Sequence, residues 1–259
     1  ILASRTSRAE ASVSAGSSVS IEPVSFGVDV VRAAVVLVVG AGPAGLEATK
    51  ALAERGYDVA LAEAGTGLGG RVARERHLPG LSAWGRVADY REYHIKQKPN
   101  VETYLDSALD AVAMLEFGFE HICIATGATW RRDGVSRQHV VPMPIHTDAK
   151  VFTPDDIMSG ARPSGHVIVY DDDHYYMGGV LAELLVSEGC KVTFVTPSAY
   201  VSDWTVNTLE QHVIHRRLAE LGVKIVLNRG VIEVAEGHVL SNCVFTDRIA
   251  SFECDAVLM

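Results

Sequence analysis

Apolar residues along this chain fall into two kinds of run. The first kind is short and nearly continuous: Val35-Val36-Leu37-Val38-Val39, then residues 59–63, 122–125, 166–170, 191–196 and 223–227. The first run, unbroken by polar residues, reads as a strand buried on both faces, and the others read as strands. The second kind recurs at helical spacing. Residues 43–55 place Leu46, Thr49, Leu52 and Ala53 on one stripe, and Gly56 follows as a stop. Residues 177–188 and 208–221 read as helices too, and helical sequence near 108–117 precedes the strand at 122–125. Strands that alternate with helices predict parallel sheets joined by crossover helices. The plan runs twice, on either side of the Pro-containing stretch 141–163. The chain is therefore predicted to be α/β, with two Rossmann-like βαβ domains at 35–145 and 146–259. Residues 252–259 (FECDAVLM) read as one buried strand.

The turn after the first strand carries the strongest chemical signal. Gly40-Ala41-Gly42-Pro43-Ala44-Gly45 is a G-x-G-x-x-G that leaves a buried strand and opens a helix, and Glu63 stands at the end of the next strand. In that context the motif is a dinucleotide-binding fingerprint. Gly40 permits the tight turn, Gly42 lets a pyrophosphate approach the backbone, and Gly45 lets helix and strand pack closely. The helix N-terminus offers free N–H groups and a positive dipole end to the anion. Glu63 is placed to accept hydrogen bonds from the adenosine ribose, and its charge disfavours a 2′-phosphate. Leu68-Gly69-Gly70-Arg71 and Ala125-Thr126-Gly127 resemble segments of the two-dinucleotide-binding flavoproteins, which favours an adenine-dinucleotide or flavin-type site.

The second half lacks such a loop. Its equivalent reads Val169-Tyr170-Asp171-Asp172-Asp173-His174-Tyr175-Tyr176-Met177, with Asp171, Asp173 and Tyr176 where three glycines would fall. Side chains block the backbone approach there, carboxylates repel a pyrophosphate, and Tyr176 would crowd the helix–strand contact. This half is predicted to keep the fold without binding a pyridine nucleotide. The acidic loop reads as solvated rather than as a metal site. His212 and His215, beside Arg216 and Arg217, read as a surface basic patch, and Trp84, Tyr90 and Tyr93 as packing and surface residues. No residue is assigned a catalytic or metal-ligating role.

Composition narrows the partners. Of 259 residues, 48% are hydrophobic and 21% charged, enough to build a sizeable core. Lys+Arg 23 against Asp+Glu 32 leaves a net charge of -9, so nucleic acid is not an expected partner. The four cysteines (Cys123, Cys190, Cys243, Cys254) are scattered and read as reduced thiols of a cytoplasmic protein. No apolar run nears the roughly 20 residues of a membrane helix. Residues 1–20 are rich in Ser and Ala, with Arg5 and Arg8 against Glu10, a composition shared by organelle transit peptides and flexible linkers. Residue 1 is Ile, and residues 1–34 are read as a linker or ill-defined segment. With a final strand that runs to the last residue, the chain is expected to be a piece of a longer polypeptide.

Segments quoted above, together with LPGLSAWGRVADYRE, FGFEHICIATGATWRRDG and VIVYDDDHYYMGGVLAELL, resemble the C-terminal half of the trimethylamine/histamine dehydrogenase family, histamine dehydrogenases in particular. The resemblance runs from about residue 35 to 259 and is most specific at the acidic-aromatic loop. It implies an FMN- and 4Fe-4S-containing amine dehydrogenase whose TIM barrel and cluster cysteines lie outside this chain. It implies two Rossmann-like domains of the two-dinucleotide-binding flavoprotein type, the first binding ADP and the second truncated, with a degenerate nucleotide loop. Electrons would pass to an electron-transferring flavoprotein, not to NAD(P), in a full-length homodimer. Residues implied around the ADP are Gly40, Gly42, Ala44, Gly45, Glu63, Ala64, Gly70 and Arg71, with Thr126 and Gly127 nearby. FAD in place of ADP is the alternative. It would mean a reductase of the dienoyl-CoA reductase or NADH oxidase kind. A non-catalytic nucleotide-binding protein is the third reading.

Overall fold

The computed structural model describes residues 34–259, so the linker read at 1–34 lies almost wholly outside the described residues. The described chain forms two compact units, residues 34–73 with 86–127, and residues 74–85 with 128–259.

In the first unit the elements are β1 (Val35–Val39), α1 (Pro43–Glu54), β2 (Asp58–Ala62), α2 (Arg71–Glu75, which runs across the break between units), α3 (Arg86–Lys96), β3 (Val101–Tyr104), α4 (Ala111–Glu116) and β4 (His121–Ile124). The four strands form one parallel sheet in the order β3-β2-β1-β4. β1 lies inside the sheet, and both of its faces are covered. Val36 and Val38 pack with Leu46, Ala53, Ala88 and Ile95 from α1 and α3. Leu37 and Val39 face the other way, with Ala60, Ala62, Met114 and Phe119. Period-2 alternation between two apolar layers is why this strand is apolar at every position. Asp110 caps α4, its carboxylate accepting from the Ala113 N–H at 2.8 Å, so the helix starts later than the predicted 108.

The second unit holds β5 (Val151–Phe152), α5 (Pro154–Met158), β6 (His166–Tyr170), α6 (Tyr176–Ser187), β7 (Lys191–Val195), α7 (Gln211–Glu220), β8 (Lys224–Val226), β9 (Arg229–Ala235), β10 (His238–Cys243), β11 (Ile249–Glu253) and β12 (Ala256–Leu258). Its parallel sheet has the order β5-β12-β6-β7-β8. Val167, Val169 and Phe194 face Leu181, Leu185 and Leu218 of α6 and α7. Ile168, Tyr170 and Val195 face the three-stranded antiparallel sheet β11-β10-β9 through Val231, Val234 and Val239. That second layer was not foreseen from the sequence.

Three further expectations are corrected. Residues 252–259 are not one strand: β11 ends at Glu253 as the edge of the antiparallel sheet, and β12 begins at Ala256 between β5 and β6. Asp255 fixes the break, its carboxylate accepting from the His166 N–H at 2.7 Å and its own N–H donating to the His166 carbonyl at 2.7 Å. The helix predicted from 208 begins at Gln211, because Leu209 adopts φ 63, outside helical space. Residues 128–145, placed with the first half by the sequence, pack in the second unit, where Met143 is buried against Ile168, Tyr170 and Val257. A lone apolar residue in an aperiodic segment does not announce which core it joins.

Candidate functional site

The glycine loop of the first unit is shaped by close backbone contacts. Gly40 has φ 97, and a Cβ there would stand 2.4 Å from the Ala125 carbonyl oxygen, so no side chain fits. At Gly45, the third residue of α1, a Cβ would lie 1.8 Å from the Gly40 carbonyl oxygen. Gly42 differs: nothing lies within 4 Å of its Cβ position, so its glycine leaves open space rather than relieving a clash. Gly42 is the N-cap of α1 and makes no side-chain capping bond, Pro43 has no N–H, and the first bond back into the loop runs from the Leu46 N–H to the Gly42 carbonyl at 2.9 Å. The N–H groups of Ala44 and Gly45 precede that bond and point along the helix axis toward the open side.

Two more segments converge on this loop. Glu63 follows β2 directly, and its carboxylate accepts from the Ala41 N–H at 2.7 Å and the Gly65 N–H at 2.8 Å. Gly69 donates its N–H to the Ala41 carbonyl at 2.8 Å, and a Cβ on Gly70 (φ 55) would come within 2.9 Å of the Gly42 Cα. Arg71 follows and opens α2. From β4, the Ala125 N–H donates to the Val39 carbonyl at 2.8 Å, which brings Thr126 to the rim beside Gly40 and leads into Gly127 at φ 75. Ala44, Ala64, Gly70, Thr126 and Gly127 are exposed, Gly42, Glu63 and Arg71 half-buried, and Gly45 buried. Gly40, Gly42, Ala44, Gly45, Glu63, Ala64, Gly70, Arg71, Thr126 and Gly127 thus gather at the C-terminal end of one parallel sheet. An anion fits this cradle: it is open at Gly42, lined by backbone donors and faced by a helix N-terminus.

The corresponding turn of the second unit is built differently. The strand-end bonds match: Gly40 N–H donates to Ala62 O at 2.7 Å, and Asp171 N–H donates to Val195 O at 2.9 Å. Asp171 therefore stands where Gly40 does. Yet β1 and α1 are joined by residues 40–42, whereas β6 and α6 are joined by residues 171–175. This longer turn corrects the alignment read from the sequence. The third helical residue is Gly178, whose Cβ would meet Asp171 Cβ at 3.0 Å, so the helix-packing glycine is kept. Tyr176 does not crowd that contact; its ring lies 4.5 Å from that of Trp84, and its hydroxyl donates to Glu75 at 3.2 Å.

Nor is the acidic loop solvated, as its composition suggested. Asp171 and Asp172 are 2% and 5% exposed. Asp171 accepts the His174 N–H at 3.0 Å on one oxygen, while its other oxygen is buried without a hydrogen-bond partner. Asp172 accepts from the Ser136 hydroxyl and the Gln138 N–H (2.7 Å), and its second oxygen lies 3.3 Å from His174 Nε2. Burial pushes the Asp171 carboxyl up to about 7. Burial also opposes charge on Asp172 and His174, but is outweighed. Bonds from His174, Ser136 and the Gln138 N–H hold Asp172 below the usual carboxylate range. Asp172 and Asp171 raise His174. A buried carboxyl under the α6 N-terminus and two extra residues in the turn set it apart from the open glycine loop of the first unit. Among the described residues no group of three or more His, Cys, Asp or Glu is arranged to hold a metal ion, so an iron–sulfur cluster does not fit here. None of the described helices is long and apolar enough to cross a membrane.

Comparison with known proteins agrees with this architecture. Residues 34–259 match the pyridine nucleotide-disulphide oxidoreductase family model. Histamine dehydrogenase from Rhizobium sp. 4-9 is 65% identical, with a TM-score of 0.86 over 88% of this chain and 35% of that one. The 6-hydroxypseudooxynicotine amine oxidase from Pseudomonas geniculata N1 is 45% identical, with a TM-score of 0.84 over 88% of this chain and 34% of that one. Dimethylamine dehydrogenase from Hyphomicrobium sp. (strain x) is 35% identical over 79% of this chain and 29% of its own length. The chain spans about a third of these relatives. It belongs to the pyridine nucleotide-disulphide oxidoreductase family, and within that family it is similar to the amine dehydrogenases.

Proposed function

We propose that this chain is the ADP-binding portion of an amine dehydrogenase-like oxidoreductase, and that the nucleotide is a structural ligand rather than a reactant. The observation that carries the reading is the contrast between two turns of one fold: the turn at Gly40–Gly45 is open and lined by donors, and the turn at 171–175 is closed by buried carboxyls. In the first, the Ala44 and Gly45 N–H groups receive the pyrophosphate, and the exposed oxygen lone pairs of Glu63 receive the ribose hydroxyls. Ala64, Gly70, Arg71, Thr126 and Gly127 form the rim. FMN and a 4Fe-4S cluster, held by parts of the polypeptide outside this chain, supply the redox chemistry in the cytoplasm, with an electron-transferring flavoprotein as acceptor and a homodimer as the assembled form.

Releasing the bound ligand from the denatured chain and identifying it by absorbance and mass spectrometry tests the proposal. ADP without flavin is the expected result. FAD that NADH bleaches would replace this reading with that of a reductase.

A further inference from the structure

Two places in the molecule that are equivalent by fold, but not by sequence, share one device. Glu63 is the residue after β2, its N–H donating to Tyr104 O at the end of β3 (2.8 Å). Thr196 is the residue after β7, its N–H donating to Val226 O at the end of β8 (3.0 Å). Each side chain then accepts from the amide two residues on: Gly65 N–H to Glu63 at 2.8 Å, and Ser198 N–H to Thr196 at 3.2 Å. Each also reaches back to the turn that follows the neighbouring strand. Glu63 takes the Ala41 N–H at 2.7 Å, and Thr196 Oγ1 lies 3.4 Å from His174 Nδ1. Thr196 has no carboxylate, and its half carries the turn that buried acids close. A ribose contact therefore does not account for a device found in both halves.

We infer that Glu63 is a positioning residue for the glycine loop: it ties Ala41 to Gly65 through one carboxylate and so holds the phosphate cradle in shape before any nucleotide arrives. The Ala41 N–H, spent on Glu63, is not a phosphate donor. The anion is then left to the Gly42 side of the turn and to Ala44 and Gly45, the arrangement that the open space at Gly42 provides. A carboxylate is the suitable group, because only its two acceptor oxygens can take two convergent N–H groups without presenting a donor to either. The inference rests on the proposal that this loop binds ADP, but its consequences reach beyond ribose recognition.

Glu63→Gln separates the two roles. It keeps the shape of the side chain but turns an N–H2 toward one of the two amides. Binding of ADP and of inorganic pyrophosphate to the 259-residue chain is measured by calorimetry for both forms. A clamp predicts that affinity for pyrophosphate falls roughly tenfold or more, in step with that for ADP. If Glu63 acts only on the ribose, removing its negative charge leaves pyrophosphate binding unchanged or tightens it, and that result overturns the inference. A second measurement needs no ligand and no variant. Amide hydrogen exchange of the nucleotide-free wild-type chain should show Ala41 and Gly65 protected like the strand amides beside them. Fast exchange at both, with β1 protected, overturns the clamp even if the variant fails to fold. Protection there without ADP binding upholds the clamp and refutes the ADP proposal alone.

Discussion

Gly42 and Gly45 show how one residue type can do two unrelated jobs three positions apart. At Gly45 an added methyl would sit 1.8 Å from a backbone oxygen, and only a shift of α1 away from the sheet relieves that overlap. Gly45→Ala is expected to cost about 3 kcal/mol and to lower the unfolding temperature of the chain measurably. Gly42 has φ -71 and empty space at its Cβ position, so in Gly42→Ala the loss of a favoured N-cap residue is offset by a stiffer unfolded chain, and stability should change by no more than about 1 kcal/mol. It should nevertheless weaken ADP binding, because the methyl enters the space the phosphate needs. Thermal unfolding and calorimetry on both variants check this split; equal stability losses would remove the distinction. Titration provides a second residue-scale prediction. Asp171 and His174 both have raised values in the folded state, from 3.8 and 6.5 respectively. Both contributions are complete below the unfolded values and are lost as pH rises through the folded ones. Asp172 is lowered, so its contribution is present above about pH 4 and lost in acid. The contribution of this pair to stability should therefore fall as pH rises from about 5 to 8. Asp171→Asn cannot lose a proton there, so denaturant midpoints across that range should show a flatter slope for it.

Elements were legible where their burial was two-sided and their ends carried backbone punctuation. The strands β1, β6 and β7 are buried on both faces along most of their length and sit close to their predicted bounds, and α1 is bracketed by Pro43 and Gly56. The antiparallel layer was missed because β9 and β10 mix polar residues into half-buried strands, although Glu236-Gly237 between them, with Gly237 at φ 77, is a tight-turn signal that alternation on either side could have supported. The acidic turn was misjudged for another reason. Three consecutive Asp read as solvated, and only tertiary structure reveals that Ser136, Gln138 and His174 donate to two of them. The break inside 252–259 turns on one residue, since Asp255 anchors to both the N–H and the carbonyl of His166. Asp255→Ala removes the side-chain half of that anchor, on an exposed edge, and should cost about 1 kcal/mol in urea unfolding. Asp255→Asn, which retains an acceptor oxygen, should recover most of it. If the two variants unfold alike, the carboxylate does not hold the junction.

At the scale of the whole molecule, one fold is used twice and kept open once. The two units share strand-end bonding, a small residue third in the helix after the central strand, and a side chain after the next strand that ties the turn down. They differ in what fills the turn: space beside Gly42, or the buried carboxyls of Asp171 and Asp172. Burying a carboxyl with one oxygen unpartnered is costly, and filling that place with a second ligand would add a phosphate charge to it. Binding should accordingly saturate at about one adenine nucleotide per chain, with NADH taking no second place. Gly42→Asp puts a carboxylate into the open cradle and should abolish binding with the fold intact. Asp173→Gly removes a side chain from the closed turn and should leave both stoichiometry and affinity as they were. A chain that bound two nucleotides, or lost binding equally in both variants, would show that openness at Gly42 is not what separates the halves.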